Sequence, residues 1–172
     1  MERTGKVTFN GNPLTLIGPD LKAGSKAPEF TAINKDLQKI RLSDSEDTVR
    51  LFNVVPSLDT PICSLQTKRF NEELKKLGDG VTAYTISCDL PFAQKRFCEA
   101  ESIGALTFLS DHRETSFGQA YGVLIKELRL LARALFVVDK TGSITYVQLV
   151  PEVAQEPDYD DALQALKSTL AG

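Results

Sequence analysis

Three cysteines, Cys63, Cys88 and Cys98, and a single histidine, His112, are the residues of this 172-residue chain best suited to covalent or redox chemistry. Their number and spacing limit what that chemistry is. No two cysteines form a C-x-x-C pair, which excludes a dithiol centre of that kind. One histidine among scattered cysteines offers too few ligands at too wide a spacing for a zinc site, so no metal centre is expected. Three cysteines are also odd in number and too sparse for a disulfide-stapled secreted scaffold.

Cys63 has the most informative surroundings. Val49–Val55 is an apolar, β-branched run of the kind that forms a strand buried on both faces, and Pro56 ends it. In the following Ser57-Leu58-Asp59-Thr60-Pro61-Ile62-Cys63, Thr60 suits a helix N-cap and Pro61 the first helical position. That register puts Cys63 in the first turn, where unpaired amides and the helix dipole favour negative charge. The Thr60 oxygen is expected to accept from an amide of that turn, leaving its hydroxyl proton for a thiolate. Helix N-termini and nearby cations lower a thiol pKa from about 8.5 to about 3.5–7.5, and the thiolate is the form that attacks peroxides, disulfides and carbonyls. The plainer alternative is a small apolar residue tucked under the helix start. Placement alone leaves both open.

The rest of the chain predicts the elements that position this segment. Val7–Phe9 and Leu14–Leu16 flank Asn10-Gly11-Asn12-Pro13 and read as an N-terminal hairpin. Phe30–Ile33 and Lys39–Leu42 are short strands. Ile62, Leu65, Phe70, Leu74 and Leu77 predict the inward face of the Cys63 helix, which Gly78 and Gly80 stop. Val81–Cys88 is the next buried strand. A second helix starts at Asp89 or Leu90 with Pro91 in its first turn. A strand at Leu106–Leu109, a short helix at Glu114–Tyr121 and strands Ala134–Val138 and Ile144–Val150 around Asp139–Gly142 follow. Asp158 caps a last helix with Leu163, Leu166 and Leu170 inward. A β-α-β-α-β start and an antiparallel close predict an α/β protein with a mixed central sheet flanked by helices. A thioredoxin-like architecture with an N-terminal β-hairpin fits best.

Several other residues carry two readings. Cys98, 35 residues after Cys63, falls at the border of an apolar helical stripe and is either a packing residue or a thiol able to reach outward. Cys88 ends its strand on the face of Tyr84 and Ile86 and reads as a core residue. Arg133, just before an apolar strand, is either an edge charge in water or a cation beside Cys63, and Arg129 is an equal candidate. His112, in a charged loop, reads as solvated. Asn71–Lys76 and Lys126–Arg129 read as exposed faces. The acidic stretch Glu156–Asp161 lacks a calcium-loop pattern.

Length and composition bound the whole. At 172 residues, one domain spanning 1–172 is expected. A net charge of −3, with 25% charged and 42% hydrophobic residues, argues against a nucleic-acid or anionic-membrane surface. The first residues hold no apolar run of signal-peptide length, and no segment approaches a membrane span. A cytoplasmic protein is expected, and there a disulfide is more often transient and catalytic than structural.

Pro56, Thr60 and Cys63 match the P-x-x-x-T-x-x-C pattern of peroxiredoxins. The longer PSLDTPICSLQTKRFN, together with DLPFAQKRFC, the run Leu131–Ala134, VTFNGNPLTL and QLVPEVAQEPDYDDAL, resembles the thiol peroxidase subgroup, the atypical two-cysteine kind. The resemblance spans nearly the whole chain. It implies a thioredoxin-like fold that reduces hydrogen peroxide or organic hydroperoxides without a cofactor. Cys63 would be the peroxidatic cysteine and Cys98 the resolving one. Their intramolecular disulfide would be reduced by thioredoxin. Thr60 would hydrogen-bond thiolate and peroxide, Pro56 would shield the pocket, and Arg133 would supply positive charge. A homodimer is implied as well. The residues alone also admit a cysteine hydrolase using Cys63 and His112, or a non-catalytic thioredoxin-like binding module.

Overall fold

The computed structural model describes all residues, Met1–Gly172. Strands β1 (Glu2–Phe9) and β2 (Asn12–Ile17) form the expected hairpin. Its turn, Asn10–Gly11, has both φ angles positive, at 49° and 80°, the conformation that a tight two-residue hairpin demands. The hairpin is longer than the sequence indicated and gains a third strand. That strand, β8 (Leu124–Ile125), has two residues, too few to leave a periodic signal.

The main sheet has seven strands in the order β10-β9-β5-β6-β7-β3-β4. Its centre is β5 (Val49–Val54), β6 (Val81–Ser87) and β7 (Thr107–Ser110), all parallel. Antiparallel β9 (Ala134–Val138) and β10 (Ile144–Leu149) extend one side, and β3 (Thr31–Ile33) and β4 (Lys39–Arg41) the other. Every residue of β5 is buried, as expected of a strand covered on both faces.

Two-residue alternation along β5 and β6 divides the core. Phe52, Val54, Tyr84 and Ile86 face one cluster, closed by the N-terminal hairpin and by Phe117 and Tyr121, beside the short helix α3 (Ser116–Ala120). Val49, Leu51 and Ala83 face the other. There α1 (Pro61–Leu77), α2 (Pro91–Ala100) and α4 (Tyr159–Ala171) contribute Phe70 and Leu74, Phe97, and Leu163 and Leu166. Asp158 caps α4 as expected, its side chain accepting from the Asp161 amide at 3.0 Å. The mixed sheet, flanking helices and N-terminal hairpin are the thioredoxin-like arrangement expected from the sequence. No helix is long and apolar enough to cross a membrane.

The inward face of α1 differs from expectation. Leu65 is 53% exposed, whereas Cys63, Gln66, Thr67 and Asn71 are buried. Apolar spacing misplaces this face because the helix buries polar side chains that find hydrogen-bond partners inside the protein. Asn71, at the start of a run that reads as exposed, accepts from the Gly104 and Ala105 amides at 3.1 and 2.9 Å. It thereby fastens the loop after α2.

Candidate active site

β5 delivers the chain to the end of the sheet, Pro56 turns it, and α1 begins at Pro61 with Thr60 as N-cap. Cys63 is therefore in the first turn, as its spacing indicated. Its side chain is fully buried. Arg133, at the entry to β9, reaches it: Nη2 donates to the Cys63 sulfur at 3.3 Å. Arg133 is itself only 2% exposed, whereas Arg129 is exposed in the preceding loop, so the structure selects Arg133 as the partner of the thiol.

The guanidinium is held on every side. Nε and Nη2 donate to the Val153 carbonyl at 3.1 and 2.8 Å, and Nη1 donates to Gln66 Oε1 at 2.9 Å. Gln66 Nε2 donates onward to Asn53 Oδ1 at 2.5 Å. Asn53 Nδ2 donates to the hydroxyls of Thr67 and Thr85 at 3.1 and 3.0 Å. A guanidinium can only donate, so Arg133 fixes Oε1 as the end of Gln66 that faces it; this turns Gln66 Nε2 toward Asn53 Oδ1 and the Asn53 amide nitrogen toward the two hydroxyls. Sequence reasoning missed Gln66 and Asn53. The available signal was two polar residues, one within an apolar strand and one on the Cys63 helix, each needing a buried partner.

Thr60 differs from its expected role. Its side chain makes no capping bond to α1. Its hydroxyl instead donates to the Ser57 carbonyl at 2.8 Å, because the turn at Ser57–Thr60 brings that carbonyl beneath it. The proton expected to be free for Cys63 is thus engaged.

Thr60 and Arg133 share a pocket of about 350 Å³ whose other walls include Phe9, Pro56, Pro61, Ile62, Leu128 and Val153. Pro56 is buried. The pocket offers apolar walls with one guanidinium in them, suited to a small molecule with an apolar tail and a polar head.

Cys98 lies on the same side of the sheet as Cys63 but lines a different pocket, about 340 Å³, with Lys35, Gln94, Lys95 and Phe108. Its thiol donates to the Ile103 carbonyl at 3.1 Å. Burial pushes the Cys98 thiol pKa up, while the Lys35 ammonium acts against this. Cys88 packs against the opposite cluster, with the sheet between it and the other two cysteines. Burial, reinforced by the carboxylates of Asp111 and Asp89, pushes its pKa up to about 12. All three thiols are free. His112 is exposed and its Nδ1 is bonded to Ser110 Oγ at 2.9 Å. The hydrogen-bond donor that reaches Cys63 is Arg133, which leaves the hydrolase pairing without its base at the sulfur.

Comparison with known proteins agrees with this geometry. Residues 22–163 match the model of the Redoxin family. The chain is 53% identical over 162 residues to a thiol peroxidase of Listeria monocytogenes, covering 94% of this chain and 98% of the relative. It is 49% identical over 163 residues to a thiol peroxidase of Bacillus subtilis, covering 95% and 97%. The crystal structure of a peroxiredoxin-like protein from Aquifex aeolicus superposes with a TM-score of 0.89 at 46% identity, over 96% of this chain and 98% of that one. A thiol in the first turn of a helix, buried under a guanidinium, and relatives of matching length lead the same way: the chain belongs to the redoxin family and is a thiol peroxidase of the peroxiredoxin type.

Proposed function

We propose that this enzyme reduces hydrogen peroxide and organic hydroperoxides at Cys63, resolves the product with Cys98 in the same chain, and is recycled by thioredoxin. The observation that carries the reading is the Arg133–Cys63 contact beside an apolar pocket. The Cys63 thiolate attacks one peroxide oxygen, the S–O bond forms as the O–O bond breaks, and the sulfur is oxidised to sulfenic acid. The displaced hydroxide or alkoxide takes up a proton as water or alcohol. Arg133 Nη2 stabilises charge first on sulfur and then on the peroxide oxygens. The apolar walls favour organic hydroperoxides. Pro56 keeps water from the thiolate. Thr60 turns its hydroxyl from the Ser57 carbonyl to the bound peroxide.

Cys63 is fully buried under Arg133, and Cys98 lines a cavity to which Cys63 does not contribute, so their union needs a local rearrangement. That movement takes Cys98 out of the environment that raises its pKa, and so makes it a better nucleophile at the moment it is needed. A homodimer and a cytoplasmic setting, where thioredoxin keeps thiols reduced, complete the reading.

The test is a coupled assay with thioredoxin, thioredoxin reductase and NADPH, in which hydroperoxide-dependent NADPH oxidation is expected to vanish in Cys63→Ser. Cys98→Ser is expected to form no intramolecular disulfide and to accumulate Cys63 sulfinic acid. Retained turnover in Cys63→Ser, or a Cys63–Cys88 link in oxidised wild type, would overturn these assignments. Sedimentation velocity tests the dimer, and cell fractionation tests the cytoplasmic setting.

A further inference from the structure

Asp89 stands between the two cysteine-bearing segments. It follows β6 and leads into α2. Its Oδ1 accepts from Ser57 Oγ at 2.7 Å. Its Oδ2 accepts from the Leu58 amide at 2.8 Å and from Ser87 Oγ at 2.7 Å. Ser57 and Leu58 belong to the loop that runs from Pro56 to the start of α1. Ser87 Oγ in turn accepts from Gln94 Nε2 at 3.0 Å. Gln94 is fully buried on α2, four residues before Cys98 and so on the same helical face. Ser110 Oγ donates to the Asp89 carbonyl at 2.5 Å and pins the main chain.

One carboxylate thus joins the loop of Cys63 to the helix of Cys98. The bonds to it are charge-assisted, roughly twice as strong as neutral ones. None of them runs to either sulfur. Asp89 therefore acts through the segments it holds and is a positioning residue. The Cys63 loop cannot swing away from the sheet end without releasing Ser57 and Leu58 from it. Where α2 moves instead, the link through Ser87 and Gln94 must give.

We propose that Asp89 is a latch holding the Cys63 loop and α2 docked, and that its release governs how fast Cys98 reaches oxidised Cys63. The proposal rests on the resolving role given to Cys98 above. In that step the Cys98 thiolate attacks the sulfenic sulfur, the S–S bond forms and the S–O bond breaks. The hydroxide leaves with the proton that Cys98 gave up, as water. The competing step consumes a second hydroperoxide and yields sulfinic acid. A firm latch prolongs the sulfenic state and so favours that competitor.

The experiment compares wild type with Ser57→Ala and Asp89→Asn after rapid mixing with hydroperoxide. Acid quench and mass spectrometry follow sulfenic acid, disulfide and sulfinic acid separately. Ser57→Ala removes the bond to Asp89 Oδ1 and that from the Asp59 amide, an exposed group that water can satisfy, and keeps the Leu58 and Ser87 bonds, so it preserves the fold. The expected result is disulfide formation faster by about tenfold or more, the worth of one hydrogen bond to a charged group, with less sulfinic acid at high peroxide. Sulfenic acid formation should change by less than about twofold, since no bond to Arg133 or Cys63 is lost. Disulfide formation that is unchanged or slower, or that changes in parallel with sulfenic acid formation, overturns the latch and leaves the resolving role intact. Absence of a Cys63–Cys98 disulfide in wild type overturns the resolving role, and the latch with it.

Discussion

Arg133 Nη2 lies 3.3 Å from the sulfur of Cys63, and all the other hydrogen bonds of that guanidinium go to neutral acceptors, Gln66 Oε1 and the Val153 carbonyl. A buried guanidinium is costly unless an opposite charge accompanies it. Cys63 is the one ionisable group hydrogen-bonded to it. The neutral acceptors orient the cation without consuming its charge, so that charge is available to the thiolate and to the oxygen anion that follows.

Removing the charge should therefore disable the first chemical step. Arg133→Gln is expected to slow Cys63 oxidation by about 10²–10³-fold, the usual cost of losing one donor aimed at developing negative charge. Competition for hydrogen peroxide against a chromogenic peroxidase measures this rate. Far-ultraviolet circular dichroism checks that the fold survives. A loss below about threefold would show that Arg133 is not aimed at the reacting atoms.

Gln66→Glu tests whether neutrality of the acceptor matters. A carboxylate at that position would pair with Arg133 and divert its charge from sulfur. It would also set an oxygen against Asn53 Oδ1, where Gln66 now donates at 2.5 Å. Asn53 relieves this only by turning its amide over, with the Thr67 and Thr85 hydroxyls then donating to its oxygen, and the negative charge beside Arg133 remains. Alkylation of Cys63 near neutral pH is expected to slow markedly. Gln66→Ala, which leaves Arg133 unpaired at that nitrogen, should slow it less. Equal rates for wild type and Gln66→Glu would make Gln66 a packing residue only.

The difference between what the sequence conveys and what it conceals lies in how local the physics is. Thr60, Pro61 and Cys63 are readable because N-cap and first-turn preferences are set by neighbours within a few residues. The buried run of β5 and the Asp158 cap are readable for the same reason. Gln66, Asn53 and Asn71 are concealed because each is buried by virtue of partners 13 to 67 residues away. Periodicity alone assigns Asn71 to the surface and Leu65 to the core, and the structure reverses both. The direction of the Thr60 hydroxyl was also out of reach, since it depends on where the turn sets the Ser57 carbonyl. The two-residue strand β8 is held by pairing with β2 and carries no pattern of its own.

Cys88 should be inert while the protein is folded. With its pKa raised to about 12, its thiolate is rare at pH 8, roughly one part in 10⁴. Native protein at pH 8 is expected to leave Cys88 unmodified by iodoacetamide, and unfolding in guanidinium should release it. The sign of the linkage follows from the raised value. The folded state holds this proton where the unfolded state has lost it, so the contribution of Cys88 to stability declines as pH rises from about 8.5 toward 12. Cys88→Ala should therefore flatten the alkaline loss of stability and leave peroxide turnover intact. Rapid modification of Cys88 in the native protein would contradict its burial against the far face of the sheet.

Asn71 secures the loop that Cys98 leans on. Its Oδ1 accepts from Gly104 and Ala105, and the Cys98 thiol bonds to the carbonyl of Ile103, the residue just before them. Asn71→Ala removes the acceptor and leaves two amides to find other partners, at a cost of about 1–3 kcal/mol. For a chain of this length each kcal/mol lowers the melting temperature by about 2–4 °C, so a drop of several degrees is expected. The more specific outcome concerns the thiols. With the loop loosened, Cys98 should be alkylated several-fold faster in the native state, while Cys63, held by Arg133 on another part of α1, should react at its wild-type rate. Peptide-resolved mass spectrometry after timed alkylation separates the two. If both thiols accelerate together, the substitution has loosened α1 as a whole, and Asn71 supports the Cys63 helix and not the Cys98 loop in particular.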